Sequence, residues 1–227
     1  MKITEEYIKK LKRSAYTKQT LKRLPDDRPD LPIKVYLGSG SLATQVSGYI
    51  NIDIQPYAGC ILWDFTEGLP FIENSSVDKF LSRLSLEFLP RKKVLPLFKE
   101  VLNKLKPGGQ FEILAFDLKA HCEHLLYGDF VNDHEYILRN LYGRQLLDKN
   151  GDPIPGTFKT TMFTYRILAM CLASTGFVKI TRAASSRLRT RMLVTAYKPE
   201  HENEIRFLTT EGLTRDIVEN KYKLRFH

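Results

Sequence analysis

Only three cysteines and one tryptophan occur in the 227-residue chain. Cys60, Cys122 and Cys171 stand far apart, in odd number and in no Cys-x-x-Cys spacing, which argues against both a disulfide framework and a structural zinc site. No apolar run approaches the ~18 residues of a membrane span, and the opening MKITEEYIKKLKR has no signal-peptide core. The expectation is a soluble, cytoplasmic protein with no membrane insertion. Acidic residues are in short supply, 26 against 35 lysines and arginines, so the formal charge is +9. Such a balance suits an anionic partner and keeps nucleic acid among the candidates. Internal repeats are absent.

What is present fits one α/β domain with additions at its ends. Hydrophobic residues at 43% and charged residues at 27% are ordinary for a globular chain. Residues 4–24 carry Tyr7, Ile8, Leu11, Ala15, Leu21 and Leu24 among lysines, at a rough helical spacing. Residues 28–32 read as a stiff linker because Pro29 and Pro32 each bias the preceding residue away from helix. This divides the chain into a basic N-terminal helix and linker (1–32), a core domain (33–198) and a C-terminal extension (199–227). Within the core domain, strands are expected at 33–37, 49–54, 60–63, 77–82 and 110–116, in βαβ alternation, which implies a parallel sheet. The run from Val94 to Leu105 has a clear 3.6-residue period, begins after Pro90 and stops at Lys106-Pro107-Gly108-Gly109. Residues 118–142 look helical but polar, 148–156 form a loop, and a helix covers 163–173. Two further strands, 177–182 and 191–197, lie close enough for a hairpin, so the last strand is expected to run antiparallel.

The apolar strand Ile33-Lys34-Val35-Tyr36-Leu37 ends in Gly38-Ser39-Gly40. Glycines there let backbone approach a ligand where a β-carbon would collide. The next strand ends in Asp53, a position suited to accepting both ribose hydroxyls of an adenosine-containing cofactor. A dinucleotide site would need a third glycine opening a full helix. Gly40 is instead followed by Ser41-Leu42-Ala43, with room for one short helical turn before the second strand.

Taken in order, these segments resemble the class I S-adenosylmethionine-dependent methyltransferases. Gly48-Tyr49-Ile50-Asn51-Ile52-Asp53-Ile54-Gln55-Pro56 is similar to the G-W-x-N-x-D-x-x-P stretch of a branch of small predicted methyltransferases often found near glycan-synthesis functions. Asp64-Phe65-Thr66-Glu67-Gly68-Leu69-Pro70-Phe71, Ser76-Val77-Asp78 and Leu86-Glu87-Phe88-Leu89-Pro90 resemble that branch's D-L-T-x-x-L-P-F, S-V-D and L-E-H-L-P segments. Leu105-Lys106-Pro107-Gly108-Gly109 matches the turn that precedes the fifth strand, and Ser174-Thr175-Gly176-Phe177 the turn that opens the sixth. The resemblance spans about residues 33–197. It implies a Rossmann-like sheet of about seven strands, mostly parallel with an antiparallel last strand and helices on both faces.

It also implies S-adenosyl-L-methionine as cofactor, held by Gly38, Ser39, Gly40, Asp53 and Ile54, with Asp64 and Phe65 toward the adenine and Arg83 beside the methionine part. Methyl transfer to a hydroxyl needs a base near the sulfonium. Asp117, at the end of the fifth strand, and His121, on the following helix, are the expected catalytic groups. His124 and the Asp133-His134 pair stand nearby. His121 and His124 share a helix face but lack further ligands, so no metal is expected. Phe88 and Phe158 replace histidines of the related segments, which opens a second reading, a noncatalytic cofactor binder or interaction protein. Arg182, Arg187, Arg189 and Arg191 of the last hairpin, with the lysine-rich first helix, open a third, a nucleic-acid methyltransferase. The leading expectation is methyl transfer to a hydroxyl of a small molecule or a glycan acceptor.

Overall fold

A computed structural model describes residues 32–127, 130–183 and 190–201, with backbone only for 130–134. The expected first helix, the C-terminal tail beyond residue 201, and Arg187 and Arg189 lie outside the described residues, as do the side chains of Asp133 and His134.

Seven apolar segments form one sheet: β1 (Lys34–Leu37), β2 (Ile50–Asp53), β3 (Cys60–Leu62), β4 (Val77–Arg83), β5 (Leu105–Phe116), β6 (Val178–Arg182) and β7 (Arg191–Tyr197). Their order is β3-β2-β1-β4-β5-β7-β6. β1 to β5 pair in parallel, with Val35 opposite both Ile50 and Phe80, and β7 runs antiparallel to β5 and β6. The chain starts in the middle of the sheet at β1, builds outward to β3, then returns to β4 on the other side of β1. The loops leaving β1 and β4 therefore diverge, and a crevice opens at their carboxyl ends.

Among the described residues, four α-helices accompany the strands: α1 (Arg91–Lys104), α2 (Leu118–Tyr127), α3 (Phe130–Tyr142) and α4 (Tyr165–Thr175). α1 forms because Val94, Leu97, Phe98 and Val101 repeat at helical spacing and bury one stripe. α4 is started by Thr164, whose side chain accepts the Ile167 amide, and is stopped by Gly176 at φ 105°. Both helices pack in the same core as Leu37, Ile52, Phe80, Phe111 and Ile113 of the sheet. At its centre the Phe111 ring stands edge-on to Phe80 and Phe98, at 6.4 and 5.8 Å. Truncating a buried phenylalanine such as Phe98 to alanine would cost about 3–5 kcal/mol.

Two boundaries differ from the sequence reading. β5 begins at Leu105 rather than near 110, because Lys106–Gly109 stays in the sheet as a bulge opposite β4. Lys198 holds that bulge through paired backbone bonds, accepting from Gly108 and donating to Gly109. The polar stretch 118–142, expected to be helical, divides into two helices packed on each other. Among the described residues no helix is long and apolar enough to cross a membrane.

Candidate functional site

The loop after β1 is held from three sides. Gly38 and Ser39 donate their amides to the Ile52 carbonyl at 2.8 and 3.2 Å, tying the loop to the end of β2. Gly38 has φ +67°, and a β-carbon there would lie 2.3 Å from Ser85 Cβ. Only glycine fits. Ser85, just past β4, donates its hydroxyl to the Leu37 carbonyl at 3.0 Å, so the two diverging loops are braced against each other. Gly40, at φ +69°, donates its amide to Asp53 Oδ2 at 2.9 Å, and Asp53 Oδ1 accepts the Gln55 amide at 2.8 Å. Each carboxylate oxygen keeps a lone pair for a ligand. Residues 41–44 form a single turn, closed by the Thr44 amide on the Ser41 carbonyl.

A cavity of about 660 Å³ opens over this loop. Its lining includes Gly38, Ser39, Gly40, Asp53, Ile54, Phe65 and Arg83, seven of the eight residues expected to hold a cofactor. The eighth, Asp64, is not on the lining. Its Oδ1 accepts the Thr66 amide at 2.9 Å and caps the short 3-10 turn Phe65–Glu67. That cap presents Phe65, which is buried and on the cavity wall.

The opposite wall comes from two later segments, the end of α3 and the loop 143–159. Gly143 has φ +83°, and a β-carbon there would strike the Thr157 carbonyl at 2.3 Å. Its absence lets the two strands of the loop close, with the Gln145 amide on Thr157 and the Lys159 amide on Tyr142, both at 3.0 Å. Gln55 Nε2 donates to the Pro155 carbonyl at 2.8 Å, which moors the loop beside Asp53. Thr160 and Thr161 donate their amides to the Glu87 carbonyl and their hydroxyls to that of Leu89, fixing the chain just beyond Lys159.

Lys159 is therefore placed with little freedom. Its Nζ donates to the Asn140 carbonyl at 2.5 Å and sits 3.5 Å from the centroid of Phe116. Burial lowers its pKa to about 8, against the opposing pull of Glu87 and with a further push from Arg191. Glu87 is fully buried, and Oε1 accepts the Phe116 amide at 2.7 Å. Burial drives its carboxyl pKa upward.

No protein-family model matches the chain, and no curated protein matches it. Solved structures do. The chain is similar to a structure from the complex between the Haloferax volcanii Trm112 methyltransferase activator and a methyltransferase, at 14% identity and TM-score 0.51, over 82% of this chain and 90% of that one. It is also similar to the CMeT domain of the citrinin polyketide synthase, at 15% identity and TM-score 0.50, over 84% of this chain and 52% of that one. The fold is the Rossmann-like methyltransferase fold.

Within this methyltransferase fold, Asp117 and His121 do not line the cavity. Asp117 is 2% exposed. Its Oδ1 accepts the Lys119 amide at 3.0 Å and so caps α2, while Oδ2 takes Arg182 at 2.9 Å. His121 donates Nδ1–H to the Asp117 carbonyl at 2.9 Å and stands edge-on to Phe116. Burial lowers its pKa. Both residues thus hold up the Phe116 ring, which is on the wall. Arg182 is engaged by Asp117 rather than standing as an isolated cation of the hairpin.

The sequence reading missed Lys159, Arg139, Asn140 and Arg144, all on the lining of the cavity. Lys159 had a signal, since it directly follows Phe158, which stands where the related segment has a histidine. The α3 residues had none: they reach the cavity only through the turn at Gly143.

Proposed function

We propose that this chain is an S-adenosylmethionine-dependent methyltransferase that acts on a hydroxyl of a small molecule or sugar. The observation that carries the reading is the cradle of Gly38 and Gly40, both at positive φ and closed by Asp53, facing a cavity large enough for a cofactor and an acceptor together. A β-carbon at Gly38 would break the cradle. Bound there, S-adenosylmethionine supplies an electrophilic methyl group on a sulfonium.

The residues then take these parts. Gly38, Ser39 and Gly40 admit the ligand against backbone, and Asp53 accepts the ribose hydroxyls with its free lone pairs. Ile54 and Phe65 enclose the adenine, with Asp64 acting through the turn it caps. Arg83, at the mouth of β4, meets the methionine carboxylate. Lys159, in its neutral form, would accept the proton of the acceptor hydroxyl as the bound cofactor supplied its methyl group to that oxygen and left as the neutral thioether. A pKa near 8 leaves enough neutral amine at physiological pH for this. Asp117 and His121, first expected as bases, serve as positioning residues for Phe116.

The test is product formation. Incubation with S-adenosylmethionine and a panel of sugars and hydroxylated small molecules should give S-adenosylhomocysteine and a product heavier by one methylene, by mass spectrometry. Cofactor binding with no product from any acceptor would leave a cofactor binder instead.

A further inference from the structure

Resting on that reading, we infer that the acceptor carries an oxyanion, a carboxylate or phosphate, and that Arg139, Asn140 and Arg144 bind it. All three line the cavity with the glycine loop. Arg139 and Asn140 occupy the last turn of α3, and Arg144 follows Gly143. Among the described residues neither arginine is in an ion pair.

Asn140 supplies the second observation. It is 8% exposed, and its Nδ2 has no acceptor within hydrogen-bonding distance. The side chain leans toward the Tyr136 hydroxyl and lowers its pKa by a long hydrogen bond, while Nδ2 has no acceptor at full hydrogen-bond distance. A buried donor on a cavity wall asks for an acceptor atom. Two guanidinium groups beside it specify a charged one, because their planar forks match carboxylate and phosphate oxygens in pairs.

Charge balance in the cavity favours the same ligand. Its lining holds three arginines, Arg83, Arg139 and Arg144, besides Lys159, which is neutral when it takes the acceptor's proton, against one carboxylate, Asp53, which is already committed to two backbone amides. The cofactor brings one carboxylate, answered by Arg83, together with an ammonium and a sulfonium. A neutral sugar would leave Arg139 and Arg144, both solvent-exposed on the cavity wall, with no counter-charge beside that positive charge. An oxyanion on the acceptor offsets it and pins the acceptor hydroxyl at a fixed distance from the anchor. The anchor itself is rigid, since the Gly143 amide bonds the Arg139 carbonyl at 2.9 Å and the Gly143 backbone packs against Thr157.

The test follows the Gly143 and Arg144 backbone amides and the Asn140 side-chain amide by NMR at constant ionic strength. Inorganic phosphate and acetate are titrated first, then glucose 1-phosphate, glucuronate and glucose. Saturable shifts with the anions and none with glucose are expected. Whichever of phosphate or acetate saturates at lower concentration identifies the oxyanion. Arg139→Gln with Arg144→Gln should raise the half-saturation point at least about tenfold. Asn140→Asp, which keeps the side chain's shape and adds a repelling charge, should abolish the shifts, and serves if the double variant does not fold. The inference is overturned if no anion gives saturable shifts, if glucose gives them equally, or if the folded variants titrate like the parent. Calorimetry with S-adenosylmethionine, run in parallel, separates the two claims: cofactor binding without anion shifts removes only this inference, and anion shifts without cofactor binding remove the methyltransferase reading.

Discussion

Asp53 Oδ2 accepts the Gly40 amide at 2.9 Å, so the carboxylate at the end of β2 also fixes the glycine loop at the end of β1. Its other oxygen does the same for Gln55. Asp53→Asn keeps the size but turns one acceptor oxygen into a donor facing an N–H. The expected result is a loss of about 1–3 kcal/mol in unfolding free energy, read from urea denaturation. No change in the midpoint would mean that the carboxylate does not brace the loop.

Gly38→Ala should do more damage. The added β-carbon would lie 2.3 Å from Ser85 Cβ, and the residue would be held at φ +67°. A loss of about 2 kcal/mol or more is expected. Adding Ser85→Gly removes the collision but not the backbone strain. The double variant should therefore recover part of the loss, with a coupling of about 1 kcal/mol in a mutant cycle. Simple additivity would show that the two loops do not touch as described.

Lys159 sets a pH dependence. If it takes the acceptor's proton, the rate should rise with pH through about 8 and then level. Lys159→Arg, charged throughout, should lower the rate by about 100-fold or more and remove the rise. Stability has its own sign. The folded pKa lies below the unfolded value, so the unfolded chain holds more protons between about pH 8 and 10.5, and stability increases with pH across that window. The charged lysine is the destabilised form. Lys159→Met should thus raise the thermal midpoint at pH 7 and lose that advantage by pH 10.5. An equal effect at both values would contradict the buried charge.

Asp117 offers the contrast. It caps α2 and pairs with Arg182, whose side chain is 42% exposed, so most of its worth lies in the cap. Asp117→Ala is expected to cost about 1–2 kcal/mol in thermal unfolding and to leave the rise of rate with pH in place. Loss of that rise would return the proton-accepting role to Asp117.

The strands were legible because each buries a short apolar run between clear turn signals, and α1 because Val94, Leu97, Phe98 and Val101 share one stripe. The half of the site built on β1 and β2 was legible for the same reason. Gly38, Gly40 and Asp53 sit at strand ends, where a local pattern fixes their place in space. The other wall of the cavity depends on contacts distant in sequence, Gly143 against Thr157 and Thr160 against Glu87, which no local period announces. Asp64 and Asp117 show the reverse problem. Both stand at strand ends suited to chemistry, yet helix caps need the same residue type there, and the two roles look alike until hydrogen bonds are seen.

Calorimetric titration with S-adenosylmethionine, on the parent chain and on Asp53→Ala, tests the central claim most directly. One site of micromolar-scale affinity is expected in the parent, weakened at least about tenfold in the variant by loss of the carboxylate's hydrogen bonds to the ribose. No heat of binding in the parent, or equal affinity in a folded Asp53→Ala, would contradict it.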